Sequence, residues 1–349
     1  MTIRIKAIAL SVLMASAPFA YAEQSDDLDR AREALTKQDN DADTEKALEQ
    51  VFEAAEKNYS LLKKGGMALN YGVDYTYYGD QRINLEIQNQ DGNAVIRNAD
   101  VSPVASHTIT NSFTFDYGLL NNLTVSGRLP LVAKFETEDE LTGYGVGDIT
   151  GSLRWQPFEY IPGRTSHTVF GSLRLPTGDS PYEIDEDESL ATGSGSWGLT
   201  GGWSVSKVLD PVVLFGSSSI GYTLPVTGLN QVKDGGNVLE EVHNGINLSF
   251  SMGFAYSLSY DVSLSASFQG SYSLESEFQL YDGVNGGTRT SSVGSQMSGI
   301  MNFALGVRVS PKTIANVNVG FGVTELSPDI ILGLSLPIDI EGVKPAEGN

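Results

Sequence analysis

Between residues 67 and 340 one arrangement recurs: strand-length segments in which large apolar residues alternate with small polar ones. In 262–272, Val262, Leu264, Ala266, Phe268, Gly270 and Tyr272 alternate with Ser263, Ser265, Ser267, Gln269 and Ser271. A period of two places successive side chains on opposite faces of a strand, so one face suits lipid and the other a wet lumen. The pattern predicts strands near 68–79, 108–118, 123–132, 148–156, 167–176, 196–206, 212–222, 244–258, 262–272, 296–309, 314–323 and 330–338. The connections 119–122, 259–261 and 310–313 are short, whereas those after the first, third, fifth, seventh and ninth segments run to a dozen residues or more. An even strand number with short turns on one side and long loops on the other describes an outer-membrane barrel, its short side periplasmic. Tyr117, Trp155, Trp203 and Tyr256 fall near the short-turn ends of their segments and fit an interfacial girdle. A soluble sandwich also alternates, but it needs neither such uniform apolar rows nor the long-short loop rhythm. The expected fold is all-β: a twelve-stranded antiparallel transmembrane β-barrel over 67–340, preceded by an α-helical segment.

The preceding residues follow a different rhythm. Residues 25–64 hold neither proline nor glycine and are rich in Ala, Leu, Glu, Lys and Gln, a helix composition. Leu28, Ala31 and Leu35 form one apolar stripe, and Leu48, Phe52, Ala55, Tyr59 and Leu62 form a second at spacings of 4, 3, 4 and 3. The stripes are out of phase across the acidic run 39–43, which predicts two helical pieces or one broken helix. Lys63 and Lys64 complement the negative helix end, and Gly65-Gly66 stop it. The second stripe fits an amphipathic helix packed on its own barrel, a short coiled coil joining protomers, or a helix plugging the lumen. Three to four heptads make a firm coiled coil, and this stripe spans about two.

Compartment follows from the first residues. Arg4 and Lys6 precede an apolar run, 7–15, and Ala20-Tyr21-Ala22 offers a small-x-small cleavage site, so 1–22 reads as a secretory signal and 23–66 as a periplasmic helical segment. The chain carries 22 Lys and Arg against 43 Asp and Glu, a net charge of −21, which argues against a nucleic-acid partner. It has no cysteine, so disulfides and thiolate metal sites are excluded. No run approaches the length of a transmembrane helix, and a closed barrel does not need one. Expected partners are outer-membrane lipid and lipopolysaccharide, the barrel-insertion machinery, and two further copies if the helix forms a homotrimer. The polar tail 341–349 replaces the terminal aromatic residue on which barrel proteins commonly finish.

Candidate chemistry is sparse. Inward positions are mostly Ser, Thr, Asn and Gly; the exceptions are Asp74 and Asp116 on the first two predicted strands, Arg128, Arg154 and Arg174 on the next three, and Arg308 on the tenth. Such charges must be solvated or paired, so they form either a salt-bridge ladder within the wall or a selectivity lining. The acidic runs containing Glu136, Glu138, Asp139 and Glu140, and Glu183, Asp185, Glu186, Asp187 and Glu188, read either as solvated loop surface or as sites for divalent cations bridging lipopolysaccharide phosphates; the second run lacks the glycine and terminal Glu spacing of a calcium loop, which favours solvated surface. Residues 193–198 match G-x-G-x-x-G but lead into a strand, which excludes a dinucleotide fold. His107, His167 and His243 lack metal-ligand spacing, and no G-x-S-x-G elbow occurs, so neither a cofactor nor an enzymatic activity is expected.

Several segments together resemble the outer-membrane barrels of the MetA-pathway of phenol degradation family. They are 145–149 leading into Leu153-Arg154-Trp155, Leu175-Pro176-Thr177-Gly178, 193–197 before the strand ending Ser206-Lys207, and Gly221-Tyr222. The layout is also similar to the pseudomonad pore that exports functional amyloid subunits, where a periplasmic coiled coil precedes a trimeric twelve-stranded barrel; the helical region here is shorter. These resemblances imply a passive outer-membrane channel of a Gram-negative bacterium. They imply either export of an amyloid or adhesin polypeptide past a gating helix, or uptake of small aromatic or hydrophobic solutes. A non-conducting adhesive barrel is the third alternative.

Overall fold

Alternation becomes geometry through the pairing of neighbouring strands. The computed structural model describes residues 61–338 apart from 91–92, 138–139, 162, 186–187, 210, 234–236, 260, 283–285 and 311–312, and gives 80–104 as backbone alone. Its strands are β1 (Met67–Gln90), β2 (Asn93–Leu120), β3 (Leu123–Glu136), β4 (Thr142–Val146), β5 (Thr150–Trp155), β6 (Ser166–Arg174), β7 (Gly198–Leu209), β8 (Val212–Thr223), β9 (Val226–Lys233), β10 (Asn237–His243), β11 (Asn247–Ser259), β12 (Val262–Ser273), β13 (Ser276–Asp282), β14 (Thr288–Val293), β15 (Gln296–Ser310), β16 (Thr313–Gly322) and β17 (Ile330–Ile338). Antiparallel pairing runs β1-β2-β3-β5-β6-β7-β8-β11-β12-β15-β16-β17 and returns to β1, closing a barrel of twelve strands. Closure gives the backbone amides and carbonyls of every wall strand a partner on both sides, the condition for crossing a bilayer without helices.

The pairing register turns alternation into two surfaces. Leu264, Leu305, Val317 and Leu334 stand side by side on four successive strands, and each is exposed on the outside. One residue along, Ser265, Ala304, Asn318 and Gly333 stand side by side on the inside. An exposed apolar belt of this extent belongs in lipid. At its lower edge Trp155 and Trp203 flank Val169, and Tyr117 and Tyr256 lie at the same short-turn ends, as the girdle required.

All twelve expected strands are present, and five further strands lie beyond them. β4 pairs with the outer half of β3, while β9, β10, β13 and β14 form a separate four-stranded sheet from the outer continuations of β8, β11, β12 and β15. The connection expected as a long loop after the first strand is instead β structure. β1 and β2 stay paired from Met67–Tyr117 out to Gln90–Asn93, although β17 leaves β1 after Tyr77 and β3 leaves β2 at Ser106. The cause is a second stretch of alternation: the register sets Ile83 against Val101, Leu85 against Ala99 and Ile87 against Ile96.

A second correction concerns 61–64. The helix expected to run through Lys64 does not include these residues, because their amides are taken by the barrel rather than by carbonyls one turn back: Leu62 N donates to Thr124 Oγ1 at 2.9 Å and Lys64 N to Asn121 Oδ1 at 3.1 Å. A turn follows, with Gly66 N donating to the Lys63 carbonyl and Gly65 at φ +77°, a conformation suited to glycine. Of the predicted seam only Leu62 is described; Leu48, Phe52, Ala55 and Tyr59 lie outside the described residues, as do the signal segment and the tail.

Candidate functional site

The lumen has two unlike walls. On β7, β8, β11 and β12 the inward residues are hydroxyls, amides, glycines and a few apolar side chains, with Ser217 bonded to Ser251 at 2.8 Å and Asn247 to Ser271 at 2.7 Å. Nearly all the inward charge sits on β1 to β6, together with Arg308 on β15. The six predicted lumen residues all face inward, but the structure divides them into two kinds.

Two arginines are locked. The Nη2 of Arg154 donates to Asp116 Oδ1 at 2.5 Å and to Ser126 Oγ at 2.9 Å. The Ser126 hydroxyl also donates to Asp116, which accepts from Asn70 as well. Arg154 and Asp116 retain only 7% and 8% exposure, so this network braces four adjacent strands and offers little to a solute. Arg308, its side chain 9% exposed, lies 3.8 Å from Asp261 in the short turn before β12.

Two arginines are open. Arg128, with 48% of its side chain exposed, is 4.0 Å from Asp74, and Arg174, 39% exposed, is 3.8 Å from Asp148. They occupy one row across the wall, since Thr114, Arg128, Thr150, Arg174 and Gly198 are register neighbours on five successive strands. Gly198 makes room for its neighbour: a Cβ there would stand 3.1 Å from the Arg174 guanidinium.

Asp148, quoted above only as part of a motif, is the centre of the outer rim. Pro130 interrupts the β3 ladder, so the chain breaks between β4 and β5. The break turns Asp148 toward the loop 175–196. Its carboxylate accepts from Gly178 N at 3.2 Å, Ser194 N at 2.8 Å and Ser194 Oγ at 2.5 Å. Thr177 Oγ1 accepts from Ile149 N and donates to the Gly147 carbonyl, and Thr192 Oγ1 donates to the Val146 carbonyl. Gly178 and Gly193 pack backbone to backbone, each within 2.8 Å of where the other's Cβ would be. Gln231 on β9 ties the loop's far side by donating to the carbonyls of Pro181 and Ile184. Three of the four segments that carried the phenol-degradation resemblance therefore form one knot, which fills the wall beside β4 where no strand pairs.

The chain leading into β1 is bound to the inner wall. Thr124, the acceptor for Leu62 N, is fully buried and belongs to the inward row with Gly118 and Arg154. A Cβ on Gly118 would collide with the Lys63 carbonyl oxygen, so the bare glycine admits the segment against the inner face of β2. At the same end of the barrel, the inward Val213, Phe215 and Ala255 form an apolar patch that is 7% exposed at most.

Two of the three histidines are belt residues. His107 bonds Tyr75 at 2.8 Å and lies beside Tyr77 and Phe135 toward the outer side, while His167 stacks on Trp203 at 5.5 Å near the inner girdle. His243 bonds Glu241 on β10 at 3.1 Å. No group of three metal-ligating side chains converges among the described residues.

No protein-family model matches the chain. Among solved structures, an outer-membrane channel from Pseudomonas putida F1 is similar over 80% of this chain and 97% of its own, at 16% identity and a TM-score of 0.55. The translocator domain of the autotransporter NalP from Neisseria meningitidis covers 90% of this chain and 98% of its own at 10% identity, with a TM-score of 0.48. The Pseudomonas putida toluene transporter TodX covers 81% and 92% at 8% identity, with a TM-score of 0.37. The first likeness shows the fold to be that of an outer-membrane barrel, in agreement with what the resemblance implied.

Proposed function

We propose that the protein is a passive outer-membrane channel whose lumen is controlled from the periplasmic side by the segment preceding β1. One observation carries the reading: the chain at 62–66, immediately ahead of β1, is hydrogen-bonded to the lumen-facing wall at Thr124 and Gly118. In this reading the Leu48, Phe52, Ala55, Tyr59 and Leu62 stripe of the sequence is the apolar face of the controlling segment. Export of an extended polypeptide is the reading we favour, because the wall of β7, β8, β11 and β12, rich in serine, glycine and asparagine, presents no fixed charge to the passing chain. Uptake of small aromatic solutes is supported by the three motifs assembled around Asp148, and would use the outer rim instead.

Loosening the anchor tests the proposal. Thr124→Val removes the acceptor for Leu62 N, and Gly118→Val displaces the Lys63 carbonyl. Each substitution is expected to raise swelling rates of proteoliposomes in arabinose or stachyose several-fold. Rates unchanged in both variants, with the barrel intact by heat-modifiability on gels, would remove the segment from gating.

A further inference from the structure

We infer that the row Arg128–Thr150–Arg174 is a binding station for anionic solutes, of the carboxylate or phosphate class, at the charged wall of the lumen. The inference rests on the channel reading and adds the solute's charge to it.

Sorting the inward charges by accessibility produces the asymmetry. Asp116 is held by Arg154, Ser126 and Asn70, and its side chain is 11% exposed. The side chain of Asp148 is 9% exposed and already accepts three hydrogen bonds from the rim loop. Both carboxylates are therefore screened from a solute by their own donors. Glu136 stands in the outermost pair of β3, at the mouth rather than along the wall. Among the described wall residues, Arg128 and Arg174 keep 48% and 39% of their side chains exposed, with Asp74 beside the first.

The arrangement across the row sharpens this. Asp74 lies on the β1 side of Arg128, and Arg174 rests over Gly198 on the β7 side, so the two guanidiniums border a stretch of wall whose middle residue is the neutral Thr150. Strands are spaced about 4.8 Å apart, which puts the two Arg backbones about 10 Å from one another. Either fork reaches a carboxylate or phosphate over that span, with the Thr150 hydroxyl as a neutral donor. The nearest acidic partners sit at 4.0 and 3.8 Å, beyond good hydrogen-bond distance, and leave guanidinium donors available.

Two measurements on the full-length protein test the station. In detergent, calorimetric titration compares benzoate with benzyl alcohol, which keeps the ring and lacks the charge. Saturable benzoate binding, weakened about tenfold or more in Arg128→Gln/Arg174→Gln and kept in Arg128→Lys, is the expected result. In planar bilayers under a KCl gradient, the reversal potential is expected to show chloride preference in the wild type and to move toward zero in the double Gln variant. Equal weak binding of both probes, or benzoate affinity unchanged in the double variant, overturns the station. An absence of current alongside intact benzoate preference removes the channel reading and leaves the station standing.

Discussion

At the residue scale the decisive distinction lies between charges that hold the wall and charges that face the lumen. Arg154 and Arg128 looked equivalent in sequence, both inward and both on the charged wall. Only the register, which seats Arg154 between Asp116 and Ser126, separates them. Arg154→Met should therefore leave Asp116 buried without its cation and destabilise the barrel by about 3–5 kcal/mol. Urea unfolding in lipid vesicles, followed by tryptophan fluorescence, measures this, and Arg128→Met should cost far less. Gly193 makes a complementary case at the rim. A methyl there would press into Gly178 and the Asp148 carboxylate, so Gly193→Ala should strain the knot by about 1–3 kcal/mol. The check is limited proteolysis, with the loop 175–196 cut faster while the barrel survives. The residues of the knot were visible in the sequence as three separate motifs. Their convergence was not, because Asp148 meets Gly178 and Ser194 across 30 and 46 positions of chain.

At the element scale, the wall strands were legible because a half-buried strand of period two leaves no other reading. Alternation at Ile83, Leu85 and Ile87 was also present, yet it lies beyond the lipid belt and was assigned to a loop. The β1–β2 ribbon past Tyr77 extends about 40 Å at 3.3 Å per residue, with no described neighbour pairing to either edge. Isolated two-stranded ribbons add little stability of their own. Replacing 80–104 with an Asn-Gly turn should therefore leave the heat-modifiable shift of the barrel on gels within a few degrees of wild type, about the effect of 1 kcal/mol or less. A large drop would show that the ribbon braces the barrel. The helix end at 61–64 illustrates the opposite difficulty. Its composition favours a helix, but the Thr124 and Asn121 side chains, some 60 residues away, compete for its amides.

For the whole molecule, closure into twelve strands fixes both solvent boundaries: an apolar outside and a polar inside that is charged along one half. That asymmetry could not be read from composition, since the net charge of −21 comes largely from loops and the N-terminal segment rather than from the lumen. The acidic chain nevertheless exposes the side chains of Arg128 and Arg174 along one row of its inner wall. In the proposed function, control of the lumen falls to the segment that precedes β1. The most direct test is single-channel recording in planar bilayers of the full-length protein and of a variant lacking residues 23–60. We predict brief or small openings for the full chain and steady, several-fold larger conductance for the variant. Silence from both, or identical traces from both, would contradict a lumen controlled by its own leading segment.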